Sequence, residues 1–327
     1  NAFIIWQYYK LREAGYITQG SHVVLFSPDE NQAVGEHDIK GGDEITIDIL
    51  EFNLVKFRLE GSDEYLVAAT LRPETIYGIT NVWVHPGVEY VIANVNGEKW
   101  LVSKPAAWKL SYQGYDVKVV GSIRGEELIG KYVIAPLINR RVPVLPANFV
   151  DENTGTGIVY SVPAHAPYDY VALMDLKRDE KTLERYGIKE IVESIEPISI
   201  IKLPNYGKYP AKDVVEKLGV KDQGDREKLD EATRIVYREE FYNGVMRENT
   251  LFPGLSVNEA RERTIKALSE QSAWGKMYEL EPRKVFTRSG NPVIAAVIKD
   301  QWFLNYGNPE WKSKAFKCLN SMRIIPE

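Results

Sequence analysis

A chain of 327 residues is about twice the ~150 of a typical single domain, so two lobes or one large body with insertions is expected. Hydrophobic residues at 44%, aromatics at 11% and charges at 27% exclude disordered, collagen-like and fibrous readings and allow a large core. The balance of 41 Lys and Arg against 46 Asp and Glu leaves a net charge of −5, so any polyanionic partner must be held by local patches.

One cysteine, Cys318, cannot form an internal disulfide, and four histidines spread over positions 22, 37, 85 and 165 cannot build a multi-sulfur zinc site. A reducing, cytoplasmic setting is expected. No apolar run approaches the ~18 to 20 residues that span a bilayer, and the first residues lack the pattern of a signal peptide. The sequence opens at Asn1 inside a helical pattern, which suggests a piece of a longer protein.

Residues 1 to 14 place Phe3, Ile4, Ile5, Trp6, Tyr9 and Leu11 on a broad apolar face that Gly15 ends, predicting a packed helix. A short hairpin is read from His22 to Phe26 and back through Val34 to Asp38. From Val55, apolar Val55, Phe57 and Leu59 alternate with Lys56, Arg58 and Glu60, the period of a half-buried strand. Further strands are predicted at 65–70, 89–93, 100–103, 117–120, 132–135, 142–145 and 157–162, with helical periods largely absent before residue 168. Many short strands without crossover helices favour a barrel or sandwich over a doubly wound parallel sheet.

Beyond residue 168 the period changes, and helices are expected near 168–186, 211–218, 225–243 and 256–271, the last with Ser256 and Glu259 in capping-box spacing. Strands return at 285–287 and 293–298, followed by a helix over 309–319. No internal repeat supports a solenoid.

Several motifs have bland readings. Ser161, His165 and Asp169 stand four residues apart, which invites a nucleophile, base and orienter reading, but Pro163 and Pro167 forbid one continuous helix that would align them. No G-x-S-x-G elbow exposes the serine, so an ordered loop is the better reading. The Gly155-Thr156-Gly157 turn lacks the third glycine and following helix of a dinucleotide site, and Glu36-His37-Asp38 is a polar turn before it is a cation site. Arg140-Arg141 and the run through Lys177, Arg178, Lys181 and Arg185 read as solvated faces. More specific is Thr70-Leu71-Arg72-Pro73-Glu74-Thr75, where a strand ends with two hydroxyls beside a charged pair, fit either to hold a polar substrate or to cap a helix.

Taken together, TLRPETIYGITNVWVHP at 70–86 and TGTGIVYSVPAHAPYDYVAL at 154–173 resemble the two pocket-forming segments of the editing domain inserted in class I synthetases for leucine, isoleucine and valine. DREKLDEATRIVYREEFYNGVM at 225–246, TRSGNPV at 287–293, DQWFLNYGNPEWK at 300–312 and the terminal MRIIPE narrow the resemblance to the leucyl-tRNA synthetases of the archaeal and eukaryotic cytosolic branch. The fold this implies is α+β: a β-barrel-like editing domain with peripheral helices. Residues 1–50 would connect to an absent catalytic domain, 51–280 would form the editing domain with a helical insertion at about 175–250, and 281–327 would return to the catalytic domain. The H-x-G-H and K-M-S-K-S signatures of aminoacylation are missing, so ATP and magnesium would belong only to the parent enzyme and this stretch would use no cofactor. FSPDENQAVGEHD at 26–38 lacks the paired cysteines of a zinc knuckle that many relatives carry, so no metal is expected there.

By resemblance the activity is an aminoacyl-tRNA deacylase acting on leucine tRNA that carries norvaline, isoleucine or similar residues. Such a second site is needed because one methylene discriminates by only about 1 to 3 kcal/mol, a magnitude established on aminoacyl-tRNA synthetases themselves. Asp169 matches the aspartate that holds the substrate's α-ammonium group, and Thr75 the threonine that sterically excludes leucine. Thr70 and Arg72 match the catalytic threonine-rich segment, with Leu71 beside them. Tyr160, Ser161 and Val162 fall on the side-chain pocket, and His165 is a fallback proton carrier where no dedicated base emerges. The implied partners are the acceptor end of leucine tRNA and the remainder of the synthetase, with no membrane, and the chain is expected to be monomeric. Alternatives are an isoleucyl- or valyl-type editing domain and a non-catalytic module that only docks the acceptor end.

Overall fold

The computed structural model describes residues 1–42 and 45–323, so the end of the MRIIPE segment, from residue 324, lies outside the described residues. Helix α1 (Ala2–Glu13) forms where its apolar face predicts, yet none of its residues is buried. Strands β1 (Ile17–Ser27) and β2 (Gln32–Ala33) make the expected hairpin, pairing Phe26 with Ala33. Residues Glu36–Asp38 turn into a 3-10 helix instead of continuing it, because the Asp38 carboxylate accepts the Gly35 N–H at 2.9 Å.

The β-rich body follows. It comprises β3 (Asp48–Leu59), β4 (Glu64–Thr70), a 3-10 turn at Pro73–Gly78, β5 (Asn81–Val84), β6 (Glu89–Val95) and β7 (Glu98–Ser103). Next are α2 (Lys104–Ser111), β8 (Val117–Arg124), α3 (Gly125–Leu128), β9 (Tyr132–Ala135), β10 (Arg140–Pro146) and β11 (Ile158–Ser161). The helical stretch holds α4 (Pro167–Arg178), α5 (Glu180–Tyr186), α6 (Lys189–Glu193), β12 (Ile201–Lys202), α7 (Pro210–Leu218), α8 (Arg226–Asn243) and β13 (Val245–Met246). The chain then runs through α9 (Val257–Glu270), β14 (Trp274–Glu281), β15 (Val285–Phe286), β16 (Pro292–Leu304) and α10 (Pro309–Asn320).

The body strands run β11-β5-β10-β9-β3-β4-β7-β6-β8, with β14 pairing the first half of β3. Most neighbours are antiparallel; β5 with β10 and β4 with β7 are parallel. The sheet curls until β11 comes to lie beside β4, where the rings of Phe57 and Tyr160 meet at 5.6 Å. No ladder joins those two strands, so the barrel-like body stays open along one seam. Inside the curl sits a core that includes Val55, Phe57, Leu66, Ile76, Tyr77, Val82 and Leu101. Trp83, Leu145, Leu173 and Leu176 form a second cluster under α4 to α6.

Two local expectations change. The strand from Val55 is covered on both faces as far as Phe57, with Arg58 left exposed, because α2, absent from the strand-dominated reading, brings Ala106 and Leu110 against Leu54 and Val67. Helix α2 starts where the Ser103 hydroxyl accepts the Ala106 N–H. Lys56 is accordingly only 7% exposed, and its ammonium group pairs with Glu98 at 2.7 Å between the rings of Tyr65 and Trp100. The capping box at Ser256 and Glu259 is present as read.

β1, β2, β15 and β16 form a separate four-stranded sheet, in which Ile17 to Phe26 runs antiparallel to Ile294 to Leu304. Tyr16 and Trp311 stack at 4.7 Å, so the residues that follow α1 lie against the start of α10.

Candidate functional site

The seam between β4 and β11 gathers the residues singled out above. Strand β4 ends at Thr70, whose Oγ1 accepts the Arg72 N–H at 2.9 Å and turns the chain sharply. Pro73 then opens a fully buried 3-10 turn that carries Glu74 and Thr75 inward. There the Arg72 carbonyl receives both the Thr75 hydroxyl at 2.7 Å and the Tyr160 hydroxyl at 2.8 Å, with the two hydroxyls 3.0 Å apart. This triangle fixes the Thr75 side chain against β11, and burial pushes the Tyr160 phenol well above its usual range, so it stays protonated.

Two residues further along β11's line, Val162 donates its N–H to Asp169 Oδ2 at 2.7 Å. Trp83 on β5 donates to Oδ1 at 3.1 Å. Asp169 stands in the first turn of α4, opened by Pro167, and is 4% exposed. Burial pushes its carboxyl up to about 7, against the smaller lowering effect of the Val162 and Trp83 hydrogen bonds. Among the described residues no cationic side chain offsets that burial. Residues two apart on one strand thus tie Thr75 and Asp169 to the same wall.

The glycines of the 155–157 turn serve this seam. Gly155 and Gly157 have φ of 54° and 71°, and a Cβ at Gly155 would come within 2.7 Å of the Ala69 Cβ on β4. Its N–H goes to Glu279 at 2.9 Å, so the turn is a close approach between strands rather than a phosphate cradle.

The other readings resolve differently. His165 is fully buried: Nε2 accepts the Ile200 N–H at 2.9 Å, and Nδ1 lies 2.6 Å from Glu240. With Nε2 an acceptor, the proton sits on Nδ1 and is donated to Glu240, so neither nitrogen is free to carry a proton elsewhere. The buried Ser161 hydroxyl finds no hydrogen-bond partner and Asp169 bonds to Trp83 and Val162, so Ser161, His165 and Asp169 form no relay.

Arg72, 13% exposed, donates Nη2 to Glu240 at 2.7 Å and Nε to Glu74 at 3.1 Å, with its guanidinium 4.4 Å from the Tyr237 ring. Burial alone would lower its pKa, and the two carboxylates reverse the shift, so it is permanently charged and acts as a brace. Leu71, by contrast, is 42% exposed at the rim.

Sequence reasoning missed Glu240, Tyr237 and Trp83 as parts of the site, and read Glu74 only as one half of a charged pair at a strand end. Glu240 was legible in one respect. On α8 the buried positions run Leu229, Ala232, Val236, Glu240, so an acid occupies the next place on an apolar stripe. Burial would raise its carboxyl, but the interactions with His165 and Arg72 outweigh this and hold it below the ordinary range.

Residues 53–174 match the family model described as leucyl-tRNA synthetase, editing domain. Over 327 residues the chain is 49% identical to a leucine–tRNA ligase of Archaeoglobus fulgidus, taking in 99% of this chain and 35% of that protein. The leucine–tRNA ligase of Pyrococcus horikoshii is 47% identical over 332 residues, covering 99% of this chain and 34% of that protein. The chain therefore spans about a third of the length of the curated relatives it matches. Among solved structures, GlLeuRS-CP1 superposes with a TM-score of 0.64 at 28% identity, over 70% of this chain and 99% of that one. The Plasmodium knowlesi cytosolic leucyl-tRNA synthetase editing domain gives 0.64 at 22% identity over 71% and 97%, a likeness of fold.

Proposed function

The chain belongs to the leucyl-tRNA synthetase family and carries its editing domain, and from that premise we propose that it hydrolyses the ester of misacylated leucine tRNA while sparing the leucyl ester. The carrying observation is Asp169: a buried carboxylate with two neutral donors and no cation, at the wall that also holds Thr75. Such a group is stabilised by a cation arriving with the substrate, and the α-ammonium of an aminoacyl ester supplies one.

In this reading Asp169 anchors the ammonium. Thr75, immobilised by Tyr160 and the Arg72 carbonyl, presents a wall that cannot yield to a leucine side chain, whereas smaller or differently branched residues pass. Water adds to the ester carbonyl carbon, the bond to the ribose oxygen breaks, and that oxygen takes up a proton to give free amino acid and the tRNA hydroxyl. Because His165 is bound on both nitrogens, no side-chain base is assigned. Backbone groups, the partly exposed Thr70 and the neighbouring ribose hydroxyl would orient the water. Arg72, braced by Glu74 and Glu240, keeps the Thr70–Thr75 segment in shape. The remainder of the synthetase and the cytoplasm are the partner and place this function requires.

The test is release of labelled isoleucine from mischarged leucine tRNA, with leucyl-tRNA as control. Wild type should clear the isoleucyl ester only. Asp169→Ala should lose about 100-fold or more in kcat/KM, the ~3 kcal/mol of a charge-assisted contact. Thr75→Ala should begin to cleave the leucyl ester. Equal activity of wild type and Asp169→Ala would sink the reading.

A further inference from the structure

Beside the seam, α8 and α9 wall a groove of about 470 Å³ against the end of β4. Phe241 and Tyr242 stand there 45% and 73% exposed, edge to face at 5.1 Å, with Tyr237 deeper in the groove. Arg238 and Arg261 line the same groove, and among the described residues neither forms a salt bridge. In a chain of net charge −5, two guanidinium groups without a salt bridge, Arg261 meeting only the longer-range field of Glu74, form with the exposed rings a local basic aromatic surface.

At its base lies a second, independent feature. Glu74 is 1% exposed, and its Oε1 accepts from Arg72 while Oε2 has no donor. Arg261 Nε, also buried, has no acceptor. A buried carboxylate oxygen without a donor calls for an N–H from a ligand.

We propose that this groove binds one nucleotide of a single-stranded RNA end. Its base, cytosine or adenine, stacks on the Phe241 ring and meets the perpendicular Tyr242 ring at its edge, with the exocyclic amine toward Glu74 Oε2, and its phosphate lies on Arg238 and Arg261. Stacking rings with flanking arginines suit unpaired bases, and a carboxylate accepts from an amino group but repels the carbonyl that uracil presents there. Leu71, Arg72 and Glu74 line the groove and also belong to the segment that carries Thr75, so a strand lying here leads toward Asp169. That the strand is the acceptor end rests on the deacylase reading; that the groove holds RNA does not.

The test is fluorescence anisotropy of the 327-residue chain with labelled RNA hexamers of mixed cytosine and adenine or of uridine, from 50 to 200 mM salt. The mixed hexamer should bind about 5-fold or more tighter than the uridine hexamer, and Phe241→Ala should weaken it about 10-fold. Arg238→Gln should flatten the slope of log affinity against log salt by about 0.7, one phosphate contact on a single strand. Lys266→Gln, at an exposed α9 position whose side chain is 80% accessible, should change the slope much less. The proposal is overturned if Phe241→Ala and Arg238→Gln bind like wild type, if the two hexamers bind alike, or if Lys266→Gln flattens the slope as much as Arg238→Gln. Anisotropy reads binding without hydrolysis, so an inactive chain would sink the deacylase reading and leave this comparison intact.

Discussion

Two carboxylates, one at the start of α4 and one near the end of α8, are almost equally hidden from water and behave in opposite ways. Asp169 meets only neutral donors, and its carboxyl rises to about 7. Glu240 lies between His165 and Arg72, and its carboxyl falls below the ordinary range. Burial is the largest effect on both, so the difference is whether a cation is already present. Glu240 has its cation and braces the fold; Asp169 has none among the described residues, as the proposed ammonium site requires.

The sharpest way to break this contrast is to remove Glu240. Glu240→Ala leaves the Arg72 guanidinium buried with one carboxylate fewer, and should cost about 3 to 5 kcal/mol of stability by chemical denaturation. Asp169→Ala removes an uncompensated charge while stripping the Val162 and Trp83 N–H groups of their acceptor, two opposing effects of a few kcal/mol each. Its midpoint should therefore shift far less than that of Glu240→Ala, although its kcat/KM should fall about 100-fold or more. Comparable destabilisation by both would erase the distinction.

The dependence on pH sharpens it next. A carboxyl raised to about 7 in the folded state contributes stability below its unfolded value near 3.8, and loses it as pH climbs toward 7. Glu240, depressed, contributes above 4.5 and loses its contribution as pH falls. Stability of Asp169→Asn relative to wild type should thus improve by about 2 kcal/mol between pH 5 and pH 8. A flat difference would mean that Asp169 is not perturbed.

In kcat/KM the same group should appear as a rising limb near pH 7, as Asp169 ionises. A falling limb should follow near ~8, as the substrate's α-amino group loses its proton. The smallest effect is a control remote from both carboxylates. Ser256→Ala removes the hydroxyl that accepts the Glu259 N–H and should cost about 1 kcal/mol without altering hydrolysis.

Local features were legible because they depend on near neighbours. The alternation at Val55 to Leu59 marks a strand, Ser256 with Glu259 marks a helix start, and Pro163 and Pro167 rule out a helix across the 161–169 segment; all three hold in the structure. The TLRPET and YSVPAHAPYD segments pair as one site by resemblance, and the seam between β4 and β11 brings them together. Less legible was the second burial of β3, since only the docking of α2 shows that the other side of that strand is covered at Leu54.

The residue pattern thus determined the strand-rich body and the change to helices after residue 168, and a family resemblance pointed to the segments that carry Thr70, Thr75 and Asp169. Tertiary structure decided what those groups are. His165 loses its freedom to an acid 75 residues away, Arg72 is paired with one 168 residues away, and Asp169 is left with Trp83 across 86 residues and, among the described residues, no cation. Protonation and hydrogen bonding follow from which groups share a water-poor space, and that is set by packing between distant segments rather than by spacing along the chain.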